Sequence, residues 1–128
     1  MEDHWHWRMR MAKQIGAELE SGRYGVVALY LLGSTKNATA GEASDIDLLV
    51  HFRGTEEQEK ELRNWLGVWS RRLAEMNYQR TGHKSDGLLD VHMITDSDIK
   101  RRTSYAVRIG ASTDAAMPLP MKSVAPKN

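Results

Sequence analysis

The chain has no cysteine, which excludes disulfides, thiolate metal sites and a cysteine nucleophile and makes a reducing, cytoplasmic setting the expectation. It also lacks a surplus of either charge: 18 Lys and Arg stand against 17 Asp and Glu, a formal net charge of +1. That balance neither points to nucleic acid as a partner nor excludes it as an acceptor. No apolar run approaches the ~20 residues that span a bilayer, and "MEDHWHWRMRM" has no apolar segment of signal-peptide type, so no membrane association is expected. All three prolines fall after Ala111. With 128 residues there is material for one core and one domain.

What is present is periodicity. Trp7, Met11, Ile15 and Leu19 recur every four residues among Arg, Lys and Glu, which predicts a helix ending near Gly22. The run "GVVALYLLG" (25–33) predicts a strand covered on both faces, at the centre of a sheet. Residues 34–44, "STKNATAGEAS", are polar without a period and predict a loop, with at most one helical turn near its start. "DIDLLVHF" predicts a second strand, with Asp45, Asp47, Leu49 and His51 on one face and Ile46, Leu48, Val50 and Phe52 on the other.

Thr55 and Gln58 in "TEEQ" form a capping box, opening a helix whose apolar positions are Leu62, Trp65, Leu66, Trp69, Leu73 and Met76. "LLDVHMIT" predicts a third strand with Asp90 and His92 on one face. Asp96 or Ser97 then caps a last helix that ends near Gly110. From Ala111 onward small residues and prolines predict a flexible tail or linker, so the division is a domain at 1–110 and a tail at 111–128. The fold class is α+β, an α/β sandwich built on a small mixed sheet flanked by helices.

The chemistry gathers on the strand ends. Two carboxylates two residues apart on a strand lie about 6.6 Å apart at Cα and point the same way. Asp45 and Asp47 therefore converge on one volume, where their mutual repulsion calls for a cation. Mg²⁺ or Mn²⁺ suits carboxylate oxygens and completes its shell with water and phosphate. Asp90 interrupts another apolar strand, and if the two strands are neighbours it makes three acids, a set that suits two ions. Gly33 and Ser34 bring a turn that lets a phosphate approach the backbone and a hydroxyl that donates to it.

"LLGS", ten residues, then "SDIDLLV" resembles the signature of the nucleotidyltransferase superfamily that includes DNA polymerase beta, and within it the small single-domain minimal nucleotidyltransferases. The resemblance implies a mixed sheet flanked by helices, a nucleoside triphosphate bound at the Gly33–Ser34 turn, and two Mg²⁺ or Mn²⁺ ions on Asp45, Asp47 and Asp90, which would be both metal ligands and catalytic residues. The implied reaction moves a nucleoside monophosphate onto an acceptor hydroxyl with release of pyrophosphate. Many relatives read Gly-Ser-x-Ala-Arg-Gly, where this chain has "GSTKNA". Lys36 and Arg53 are the candidates to replace the missing arginine, Lys36 counting with Gly33 and Ser34 as nucleotide-binding.

Other features carry blander readings. His92 reads as a solvated or hydrogen-bonded structural histidine, "HWHW" (4–7) as a helix start with Trp7 in the core, and "KRR" (100–102) as an exposed helical face. Asp90 has its own bland alternative, an acid that guards a sheet edge. Two rival functions stay open: a regulatory, antitoxin-like module that binds nucleotide and acts with a helical partner protein or as a homodimer, and a domain of a larger enzyme.

Overall fold

The computed structural model describes residues 2–122. Helix α1 spans His4–Glu18, a short turn α2 spans Ser21–Tyr24, and strand β1 spans Val26–Leu32. One further helical turn, α3 (Gly33–Lys36), leads into the loop before β2 (Ile46–Phe52). The long helix α4 (Glu56–Thr81) then returns the chain to β3 (Leu89–Ile94), followed by α5 (Asp96–Arg101), a 3₁₀ turn at Ala106–Arg108 and β4 (Met117–Leu119).

The sheet runs β3-β2-β1-β4. β1 pairs antiparallel with both β2 and β4, while β2 and β3 are parallel. A parallel pair needs a long crossover, and α4 supplies it. Its start carries the predicted capping box, with Thr55 Oγ1 accepting from Gln58 N and Gln58 Oε1 accepting from Thr55 N. One face of the sheet packs against α1 and α4 through Ile46, Leu48, Val50 and Phe52. The other is closed by the chain after β3, where Ala106 and Ala116 meet Leu32, Leu49 and Ile94. Both faces are covered, which is why β1 and β2 read as unbroken apolar runs.

Four expectations need correcting. The last helix is capped by Thr95, whose Oγ1 accepts from Asp98 N, and not by Asp96 or Ser97. The last helix ends at Arg101, with Arg102 left-handed at φ 55°, instead of near Gly110. None of its residues is buried, so no apolar stripe rewards extending it, and the chain turns back to bury Ala106 instead. The stretch from Ala111 is no tail over its described part: Leu119 sits at 4 % exposure and β4 extends the sheet. Pro118 can lie there because β4 is an edge, where its missing N–H leaves no ladder bond unmade. Residues 123–128 lie outside the described residues. On α4, Met76 is 42 % exposed and Asn77 takes its place in the interior at 0 %. Among the described residues no helix is long and apolar enough to cross a membrane.

Candidate functional site

β1 ends where β2 begins, and Leu32 pairs with Asp47 across that end. On the other side Asp47 stands opposite Asp90 in the parallel register of β2 and β3. The register is held by Ile46 N donating to Leu88 O at 2.7 Å and by Ser70 Oγ on α4 accepting from Leu88 N and Leu89 N at 3.0 and 3.1 Å. Two carboxylates therefore meet side by side at the end of a strand pair. His92, two residues along β3, joins them: one ligand atom each from Asp47, Asp90 and His92 lies within 4.8 Å of the others.

The electrostatics follow from that packing. Burial and then the neighbouring Asp90 push the Asp47 carboxyl above the usual carboxylate range, with Asp45 adding to the repulsion and His92 opposing it. His92 Nε2 lies 3.3 Å from Asp90 Oδ2 and its ring stacks on Tyr105 at 4.1 Å, so the imidazole is oriented from two sides. A cleft of about 210 Å³ opens over the group, lined by Gly33, Asp47, Asp90, His92, Tyr105 and Arg108.

Gly33 is required here for a reason that the sequence does not show. Its φ is +74°, and a Cβ built on it would collide with Asp47 Oδ2. The space beside this glycine is thus filled by the Asp47 carboxylate itself. Ser34 lies half-buried in α3, its carbonyl accepting from Thr39 N at 2.9 Å and so closing the turn. Asp45 precedes β2, is exposed and stands apart from the trio.

Lys36 projects from the same turn, but its Nζ donates to Asp114 at 2.9 Å. Arg53 lies at the opposite end of β2 and forks onto Asp96, so it does not reach this cleft. With His51 it holds the Asp96 carboxyl down at about 2 and ties the end of β2 to the start of α5.

Between the first helix and this site lies a residue that periodicity assigns to solvent. Arg8 is fully buried and donates to the carbonyls of Ser44 (2.9 Å), Glu42 (3.1 Å) and His4 (3.3 Å) and to Asn77 Oδ1 (3.2 Å). Asn77 Nδ2 in turn donates to the Glu42 carbonyl at 2.8 Å. The loop that delivers Asp45 is thus clamped from α1 and α4. Burial depresses the proton affinity of Arg8, with Arg80 adding to the effect and Asp45 opposing it.

The family model described as "Nucleotidyltransferase domain" matches residues 12–107. This chain belongs to the nucleotidyltransferase domain family. No curated protein and no solved structure matches it. The matched span contains β1, the Gly33–Ser34 turn, β2, α4 and β3, so the acids brought together above lie within the nucleotidyltransferase domain. Tyr105 lies at the end of that span, while Asp114 and β4 fall beyond it.

His92, Tyr105 and Arg108 are cleft residues that sequence reading undervalued or passed over. His92 shares a strand face with Asp90, which is a usable signal. Arg108 follows an irregular segment and carries none.

Proposed function

We propose that this nucleotidyltransferase domain moves a nucleoside monophosphate from a nucleoside triphosphate to an acceptor hydroxyl, with release of pyrophosphate, using divalent ions held by Asp45, Asp47 and Asp90. The observation that carries the reading is the juxtaposition of Asp47 and Asp90 in one register, beside Gly33. Two like charges side by side, one of them half-buried, are costly unless a cation joins them.

The donor set fits a hard divalent ion. Asp47 and Asp90 offer carboxylate oxygens, Asp45 is the next acid along the chain, and His92 adds a nitrogen that Mn²⁺ accepts more readily than Mg²⁺. When bound, such ions supply charge neutralisation for the triphosphate and for the attacking and leaving oxygens. Gly33 and Ser34 receive the phosphates, with the Ser34 hydroxyl as donor. Asp90 is exposed on an edge strand, open to an acceptor, and takes the proton of the acceptor hydroxyl. His92 steadies the carboxylate through its contact with Oδ2. The acceptor oxygen bonds to the α-phosphorus as the bond from that phosphorus to the pyrophosphate oxygen breaks. The cleft is smaller than the ~300 Å³ at which small-molecule pockets begin, which suits a site that grips phosphates and leaves the acceptor to be presented from outside.

A second reading, nucleotide binding without transfer in partnership with another protein, draws on Asn37 standing where relatives carry arginine and on Lys36 being paired with Asp114. Calorimetric titration of ATP, GTP, CTP and UTP with Mg²⁺ into wild type and the double variant Asp45→Asn/Asp47→Asn, followed by transfer assays with an α-labelled triphosphate, separates the two. Metal-dependent binding and label transfer, both absent from the variant, support the enzyme. Binding without transfer favours the second reading, and equal binding by the variant removes the acids from the site.

A further inference from the structure

Asp114 is the meeting point of four donors from two segments. Lys36 Nζ reaches its Oδ1 at 2.9 Å and Asn37 Nδ2 the same oxygen at 3.4 Å. Arg108 Nη2 donates to its Oδ2 at 2.7 Å and Nε to its carbonyl at 3.1 Å. One cation comes from the turn after Gly33 and the other lines the cleft over Asp47 and Asp90.

Exposure differs sharply within the cluster. The side chains of Lys36 and Arg108 are 12 % and 28 % exposed, whereas that of Asp114 is 54 % exposed. The cations are sheltered and pre-positioned, and the anion bridging them faces solvent from a short loop, at a left-handed φ of 48°. Two cations and an amide aimed at one oxyanion group form an anion cradle, here filled by the protein's own carboxylate.

We propose that Lys36, Asn37 and Arg108 form the cradle for the outer phosphates of the triphosphate, and that Asp114 occupies it until those phosphates displace the carboxylate. The inference rests on the nucleotidyltransferase reading and adds Arg108 and Asp114 to it. A phosphate brings more charge and more acceptor oxygens than a carboxylate, so the exchange keeps every donor paired. Arg108 can take two phosphate oxygens at once, as its fork takes the Asp114 side chain and carbonyl now. Asp114 thereby acts as a competitive internal anion that keeps two cations beside a cluster of acids from collapsing onto those acids.

The test is calorimetric titration of inorganic tripolyphosphate and of ATP, each with Mg²⁺, into wild type, Arg108→Gln, Arg108→Lys, Lys36→Gln, Asp114→Asn and a remote control, Glu75→Gln on α4, with circular dichroism melts of every variant. Asp114→Asn is expected to tighten tripolyphosphate binding by about fivefold and Arg108→Gln to weaken it by about tenfold, with Arg108→Lys recovering part of the loss. Glu75→Gln should stay within about twofold of wild type, which separates cradle release from a general change in net charge. If Asp114→Asn does not fold, the losses in Lys36→Gln and Arg108→Gln decide. Folded Arg108 and Lys36 variants that bind like wild type, while Asp47→Asn abolishes Mg²⁺–ATP binding, overturn the cradle and leave the nucleotidyltransferase reading standing. Absence of binding to both wild type and folded Asp114→Asn overturns both.

Discussion

Asp47 shows what a crowded, half-buried carboxylate costs the fold that holds it. It stands at the end of a strand whose other positions are buried and, His51 apart, apolar, next to Asp90 and against Gly33. Because burial and Asp90 raise its pKa, its stability contribution is complete below the unfolded value near 3.8 and is lost as pH rises through the raised folded value. In metal-free protein, Asp47→Asn is therefore expected to raise the melting temperature at pH 7 by about 1 to 3 °C, a modest effect on a domain of this length. The gain should shrink to nothing as the pH falls below 4. Thermal melts at a series of pH values in chelator check this, and a variant less stable than wild type at pH 7 contradicts it. The pair Asp45 and Asp47 was legible in the sequence, since charge at the start of an apolar strand breaks a local pattern. That Asp47 is the crowded one of the two was not, because crowding depends on which strand lies beside it.

Among the elements, α1 and α4 do more than cover the sheet. The buried side of α1 holds Trp7, Arg8, Ala12, Ile15 and Gly16, a face turned slightly from the stripe that hydrophobic spacing marks out. Periodicity counts an arginine as solvent-facing and cannot see that Arg8 satisfies carbonyls of a distant loop. Arg8→Met would fill much of the space but take the Arg8 donor from the Ser44 carbonyl and leave the Glu42 carbonyl to Asn77 alone. The expected loss is about 2 to 4 kcal/mol of stability, together with weaker Mg²⁺ binding because the loop before Asp45 is released. Chemical denaturation and a Mg²⁺ titration measure the two. Unchanged stability would mean that the buried guanidinium costs as much in desolvation as it returns in hydrogen bonds.

For the whole molecule, the C-terminal segment decides whether the sheet has three strands or four. Gly16 on α1 is packed so closely by the Pro120 carbonyl that a Cβ would lie 2.6 Å from it. Lys122 N donates to Leu19 O at 3.1 Å, and Lys122 O accepts from Ser21 N at 3.3 Å. Leu119→Ala is expected to destabilise the domain by about 2 to 5 kcal/mol, the range for a buried leucine truncated in a packed core. A free tail would give no change, so urea denaturation distinguishes the two. Helix α4, the capping box and the first two strands were readable because their signals lie within a few residues of each other. β4 was not, because Met-Pro-Leu has strand character only against the edge of β1 that receives it.

The sequence by itself determined the first two strands, helix α4 and the ordered Gly-Ser and Asp-Ile-Asp motif, since helical periodicity, strand alternation and capping are short-range properties of the backbone. Tertiary structure alone decided which charges meet. The parallel register that sets Asp90 and His92 beside Asp47, the burial of Arg8, and the bridge from Asp114 to Lys36 all join residues far apart in the chain. The physical reason is that a one-residue shift in strand pairing leaves every local pattern intact yet turns each side chain to the opposite face. Only the packed molecule selects the register that places these groups together.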